Sequence, residues 1–305
     1  MSLPAQIRVI ERGWLSSNNI VCIEGDGATV VDSGYVGNAA QTVELVKSVL
    51  VARRVTRLIN THSHSDHFGG NAAMQRAFGC RILIPAGIEA QVANWDEEAL
   101  LLGPAAQRGD RFRHDGVIAA GEEFEMGGLR WRALPAPGHD MEALVFHCAE
   151  ERLLISGDAL WQDGFGIVFG ALIGDGGGLA ATRGTLEMLA RLDVETVIPG
   201  HGTPFGDVPA ALARAFGRLE AFEREPQRMA RNAVKGCFTF LLLDVGRLPR
   251  QGLAERLDGI PLFRRIGGGL LKMTMPELAD WLVAELLRAG AIAIEGHDIV
   301  PTMAA

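Results

Sequence analysis

The stretch Thr56–Gly70, TRLINTHSHSDHFGG, decides how this chain is read. It begins as an apolar, β-branched run and opens into a polar segment where His62, His64 and His67, three of eight histidines, fall within six residues. In extended backbone, residues i and i+2 point the same way, so His62 and His64 can present two imidazoles to one metal ion. Asp66 and His67, beyond a bend, can face a second ion. A divalent metal such as zinc takes imidazole and carboxylate ligands and, in catalytic sites, leaves a position open for water.

Working outward, ligand-type residues recur at the ends of other apolar runs: His139 in PAPGHD, Asp158 in ISGDAL and His201 in IPGHG. Strand ends that meet in space are how a rigid scaffold gathers distant ligands. Each of these residues follows a glycine, Gly138, Gly157 or Gly200, which permits tight turns and close backbone approach.

The runs around them set the fold class. IRVIERG, IVCIEG, ATVVDSG, TRLINTH and CRILIPA read as strands in the first half; LRWRALPAP, ALVFHC, RLLISGD and ETVIPGH read so in the second. Residues 38–51, GGNAAMQRAF and residues 178–192 carry helical spacing between them, and residues 87–117 are less regular. The expectation is an α/β fold, two sheets sandwiched between helices, over residues 1–206 as the catalytic domain. Residues 207–305 form a mostly helical extension. Its helix TMPELADWLVAELLRAG, with Trp281 in the apolar stripe, precedes two short strands, AIAIEG and DIVPT, in a winged-helix-like outline.

With these residues the sequence resembles the metallo-β-lactamase fold superfamily, through Asp32 in VVDSG, the run from His62 to His67, His139, Asp158 and His201. The resemblance spans residues 7–206 and implies an αβ/βα sandwich of two mixed sheets. In dinuclear, glyoxalase II-like members, the residues matching His62, His64 and His139 hold one metal, and those matching Asp66, His67 and His201 hold the other. Asp158 matches the carboxylate that bridges both. Asp32 matches a structural aspartate that supports the metal loop. Asp140 stands where glyoxalase II enzymes carry Thr or Ser, and with Asp32 it is read as a support and not a ligand.

The resemblance implies two divalent ions, zinc first, with iron or manganese as alternatives, and a metal-bridged hydroxide that cleaves an ester-like bond: thioester, ester, lactone or phosphodiester. Asp66 is the candidate catalytic residue, orienting the nucleophile. Two further resemblances mark alternatives. The persulfide dioxygenases of the superfamily hold one iron on residues matching His62, His139 and Asp158, and the tail suits the β-lactamase-like protein 2 type of single-strand endoribonuclease.

Charge and composition narrow the partners. The 305 residues carry 29 Lys and Arg against 37 Asp and Glu, a net −8 that gives no strong nucleic-acid signal. No run reaches the length of a membrane span, and the start, MSLPAQIRVIERGW, has no apolar signal core. Four separated cysteines, Cys22, Cys80, Cys148 and Cys237, suit a reducing cytoplasm. The expected partner is a small-molecule substrate, and the apolar tail helix could also serve a homodimer. Trp161 and Phe165, with Phe169, follow Asp158 as candidate substrate contacts. Arg264, Arg265 and Lys272 flank three glycines in LFRRIGGGLLKM, a composition suited to a mobile loop that meets an anionic group. His114, His147 and His297 stand apart from the motifs.

Overall fold

A computed structural model describes residues 3–51, 53–173 and 177–303. Strands β1 (Ile7–Ile10), β2 (Asn19–Glu24), β3 (Gly27–Val31), β4 (Arg54–Ile59), β5 (Arg81–Pro85) and β6 (Gly116–Ile118) form a first sheet in sequence order. It is antiparallel through β3 and parallel from β3 to β6. Strands β7 (Glu123–Met126), β8 (Leu129–Pro135), β9 (Leu144–Cys148), β10 (Leu153–Gly157) and β11 (Thr196–Pro199) form a second sheet, parallel only between β10 and β11.

The period-2 alternation of side chains sorts each strand between two cores. In β2, Ile20 and Cys22 face the space between the sheets, and Val21 faces the helices of the first sheet's outer side. In β10, Leu153 and Ile155 turn inward while Leu154 turns outward; Ile198 and Val197 of β11 divide the same way. Trp131 and Phe146 fill the space between the sheets, fully buried. Helices Ala39–Leu50 and Asn71–Phe78 cover the first sheet through Val43, Val46, Ala72 and Met74. Four layers result, helix, sheet, sheet and helix, as the sequence predicts.

The fourth layer is built largely from the tail. Helices Val208–Arg224, Pro226–Val245 and Met275–Arg288 share one hydrophobic cluster with Val145, Leu154 and Val197 of the second sheet. The tail ends in a three-stranded antiparallel sheet of β12 (Leu248–Pro249), β13 (Ile292–Glu295) and β14 (Asp298–Pro301), with β14 central. Helix Met275–Arg288 starts at a capping box: Thr274 and Glu277 each bond the other's backbone.

One expectation is corrected here. The segment holding Arg264, Arg265 and three glycines is not a loop: residues Arg264–Leu270 form a π-helical turn that continues the helix Pro261–Phe263. Pro261 opens that turn where its missing N–H goes unused, and buried Phe263 and Ile266 fasten it into the core. Buried apolar anchors on both sides of Arg264 outweigh the glycines' freedom.

Candidate metal centre

The site lies where β4, β10 and β11 end on the same side of the two sheets. Past Ile59 the chain is pinned by Asp32, whose carboxylate accepts from the Thr61 amide at 2.9 Å and the Thr61 hydroxyl at 2.8 Å. Asp32 sits in the left-handed region at φ 57°, which Asp tolerates better than most residues. His64 is extended at φ −82°, ψ 149°, and the single turn Ser65–Phe68 swings Asp66 and His67 to the other side.

Two donor groups form. His62, His64 and His139 make one; Asp66, His67, Asp158 and His201 make the other, and within each group the ligand atoms lie within 4.8 Å of one another. Asp158 spans them. Its Oδ2 lies 3.4 Å from His139 Nε2, while its Oδ1 lies 3.4 Å from His67 Nε2 and 3.9 Å from His201 Nε2. Gly200 makes room for this: a Cβ there would fall 2.3 Å from Asp158 Oδ1 and 2.8 Å from His67 Cε1. His201 Nε2 also lies 3.1 Å from Asp66 Oδ2.

The donor chemistry suits bound metal. His62 Nε2 and His67 Nε2 are buried with no hydrogen-bond partner, a costly state for a ring nitrogen unless something binds it. His139 Nδ1 donates to the Ile167 carbonyl at 2.6 Å, which turns its Nε2 toward the donor group, 2.6 Å from His64 Nδ1. Two ring nitrogens that close share a proton or converge on one cation. His67 Nδ1 donates to Asp32 Oδ2 at 2.8 Å, which fixes the tautomer and leaves Nε2 for metal.

Electrostatics separate the imidazoles. Burial, and then the charges of His67, His64 and His139, pushes His62 well below an ordinary imidazole pKa. Burial and His139 push His64 down to about 4. Both are therefore neutral and able to ligate. Burial acts in the same sense on His67, but Asp158, Asp32 and Asp66 outweigh it and hold that ring well above its usual range. In the bare chain a proton on His67 answers those carboxylates. A divalent cation answers them with more charge.

Asp140 stands behind the first donor group and braces its loop. One of its oxygens accepts from the Ser63 amide at 2.9 Å and the Ser63 hydroxyl at 2.6 Å, and the other accepts from the Glu142 amide at 2.8 Å. Trp161 donates from Nε1 to Asp158 Oδ1 at 3.1 Å and meets the His201 ring edge-on at 5.5 Å. Phe169 lies 5.1 Å from the His64 ring and 5.9 Å from that of His139. Phe165 goes elsewhere, into the core against Phe222 and under Arg218, and it does not line the space at the donors.

Two cavities reach the donors. Arg265 lines one of 460 Å³ that touches His64 and His139. A second, of 400 Å³, opens onto Asp66, His139, Asp158 and His201. Arg264 and Lys272 are exposed and line neither. His114, His147 and His297 belong to neither donor group. Sequence reading misses much of the second cavity's wall. Trp14 stacks on His201 with centroids 5.5 Å apart and planes 11° apart, and it meets Trp161 at 5.5 Å. It is a lone aromatic in a polar stretch between β1 and β2, with no periodicity to flag it. Arg218, Lys235 and Phe240 come from tail helices and reach the cavity only through the tertiary fold.

The family model described as metallo-beta-lactamase superfamily matches residues 12–201, more than half of the chain. The chain belongs to the metallo-β-lactamase superfamily. Among curated members, it is 31% identical over 217 residues to a hydroxyacylglutathione hydrolase of Methylococcus capsulatus, covering 66% of this chain and 71% of that one. To the enzyme of the same description from Hyphomonas neptunium it is 26% identical over 165 residues, covering 54% of this chain and half of the relative's length. A metallo-beta-lactamase family protein from Thermus thermophilus superposes with a TM-score of 0.56 at 18% identity, over 98% of this chain and all of that one. The native FEZ-1 metallo-beta-lactamase from Legionella gormanii gives 0.59 at 14% identity, over 73% and 94%. These superpositions carry the superfamily fold and no more. Among the described residues, no helix is long and apolar enough to cross a membrane.

Proposed function

We propose that this superfamily member is a metal-dependent hydrolase that cleaves an ester-like bond in a small molecule at a dinuclear centre, zinc being the first choice of ion and iron or manganese the alternatives. The observation that carries this reading is the pair of donor groups with the two oxygens of Asp158 turned one to each. His62, His64 and His139 would hold one ion, and Asp66, His67 and His201 the other, with Asp158 between. Bound there, the ions would lower the pKa of a shared water and polarise the scissile carbonyl.

The chain's own residues supply the rest. Asp66 lines the cavity and points a carboxylate oxygen toward the second donor group, where it can accept a proton from an incoming nucleophile and orient it. Asp32 and Asp140 hold the two halves of the histidine loop in place. Trp14, Trp161 and Phe169 give the approach apolar walls that exclude water from one side of the bond. A mononuclear iron site on His62, His139 and Asp158 is the second reading, and iron at one per chain with oxygen-consuming thiol chemistry would favour it. The names of the relatives support a thioester as the first substrate class to test. The four cysteines are free and buried, which suits the cytoplasm.

The test is metal analysis of purified protein together with hydrolysis of S-lactoylglutathione, using Asp66→Ala as the control. About two ions per chain, with turnover falling roughly 100-fold or more in the variant, is the expected outcome, in the range seen when a proton-handling group is removed. Protein that binds no metal with its histidines free would sink the reading. Metal without thioester turnover would move the search to esters, lactones and phosphodiesters.

A further inference from the structure

Among the described residues, the cavity over the second donor group carries a cation that no carboxylate pairs. Arg218, on helix Val208–Arg224, lines its wall with the guanidinium carbon 5.1 Å from the Phe165 ring centre and 5.3 Å from that of Phe222. Among the described residues its guanidinium has no hydrogen bond and no ion pair. Its neighbours on the same helix are engaged: Arg214 binds the Gln162 carbonyl and Asp163, and Arg224 binds Glu220. Burial pulls the Arg218 guanidinium below its ordinary pKa, so holding the charge there works against folding. Buried charges are as a rule paired, and the two rings against this guanidinium leave its hydrogen-bond donors unused.

The surroundings are shaped to the side chain. Gly164, at φ +132°, lets the loop after Trp161 close on it, because a Cβ there would lie 2.7 Å from an Arg218 Nη1 and 3.0 Å from its Cδ. Lys235, on the next helix, faces the same cavity, and its nearest carboxylate, Glu285, is 3.8 Å away and outside the lining. The cavity's two carboxylates, Asp66 and Asp158, both belong to the metal donors. Apolar surface from Trp14, Ile167, Phe169 and Phe240 lines the space they share.

We infer that Arg218 is a specificity residue that receives a carboxylate of the substrate, so that the hydrolase takes an amphipathic acid: an ester-like bond at the donors, an apolar body along the aromatic wall, and a carboxylate at the guanidinium. A planar guanidinium offers a carboxylate two parallel, charge-assisted hydrogen bonds, of which a neutral carboxamide can accept only one. The inference rests on the hydrolase reading for the bond that is cleaved, but the recognition of the acid does not require turnover.

The experiment separates the two. Binding of 5-phenylvalerate and of 5-phenylvaleramide to metal-loaded protein is measured by calorimetry, for wild type, Arg218→Met and Arg218→Lys. Methionine keeps an apolar side chain between the two rings, and melting temperature checks that the fold is intact. The acid is expected to bind wild type about tenfold tighter than the amide, the scale of one charge-assisted hydrogen bond. Arg218→Met is expected to lose that ratio because acid binding weakens far more than amide binding, and Arg218→Lys to retain part of it. In parallel, p-nitrophenyl hexanoate and the p-nitrophenyl monoester of adipic acid are compared as substrates. An Arg218-dependent acid preference in binding, without hydrolysis of either ester, supports this inference and counts against ester cleavage. A ratio unchanged in Arg218→Met overturns it, as does wild type that binds acid and amide alike, a result that stands even if the methionine variant does not fold.

Discussion

At the residue scale, the seven candidate donors are legible in the sequence because three of only eight histidines crowd into one loop and His139, Asp158 and His201 each follow a glycine near the end of an apolar run. It is their recurrence together that marks them, since an aspartate after a strand can equally brace a turn, as Asp32 does. Trp14 and Arg218 are not legible for the opposite reason. Tryptophan and arginine serve many surfaces, and only the fold brings these two to the cavity. Phe165 shows the converse: it lies seven residues beyond Asp158 in sequence, but its ring points into the core. Among the supporting residues, Asp32 invites a direct test. It holds Thr61 through two hydrogen bonds and the His67 ring through a third, so Asp32→Asn should keep the turn while weakening the hold on His67 Nδ1–H. Loss of such a partner typically lowers metal affinity by about 10–100-fold. Competition for zinc with a chromophoric chelator checks this, and affinity equal to wild type would count against the role given to Asp32.

At the scale of elements, alternation reveals most strands of the two sheets, since a strand between a helix layer and a facing sheet must sort its side chains with period 2. The short strands β6, β7 and β12, of three, four and two residues, are too brief to show a pattern. The π-helical turn at Arg264 is hidden because glycine-rich composition argues for a loop, while its buried anchors become visible only once the helix Met275–Arg288 is in place. The attachment of the tail helix Pro226–Val245 is equally nonlocal. Asp244, near its end, accepts from the Tyr35 hydroxyl at 3.0 Å and from Arg108 Nε at 3.1 Å, joining the helix that walls the cavity to the loop following β3. Burial, with Asp244 beside it, pushes the Tyr35 phenol above its ordinary pKa, so the group stays a donor throughout the working range. Asp244→Ala leaves the buried Tyr35 O–H without its acceptor, at a cost of about 1–3 kcal/mol. Urea unfolding of the variant measures it; a loss near zero would mean that water replaces the carboxylate and that the helix is held elsewhere.

At the scale of the whole molecule, charge divides as the site requires. Residues 207–305 carry 13 Lys and Arg against 12 Asp and Glu, so the chain's net negative charge lies in front of them, with the histidine loops. The tail thus brings Arg218 and Lys235 to a cavity whose floor is acidic. The same tail closes the fold: Val145, Leu154 and Val197 on the outer face of the second sheet are buried beside Ala211, Ala215, Leu219 and Phe238 of the tail helices. The division at residue 206 therefore follows function along the sequence, and we propose that it does not separate two independently folding units. A chain ending at residue 206 would keep all seven donors but uncover that sheet face. At roughly 25 cal/mol for each Å² of apolar surface returned to water, the uncovered residues cost several kcal/mol, comparable with the whole stability of a domain. Expression of residues 1–206 should give aggregated or molten protein with little zinc bound, read by size-exclusion chromatography and metal analysis. A soluble, monomeric fragment holding two ions would show that the tail serves substrate recognition alone, and would leave Arg218 as its main contribution to the enzyme.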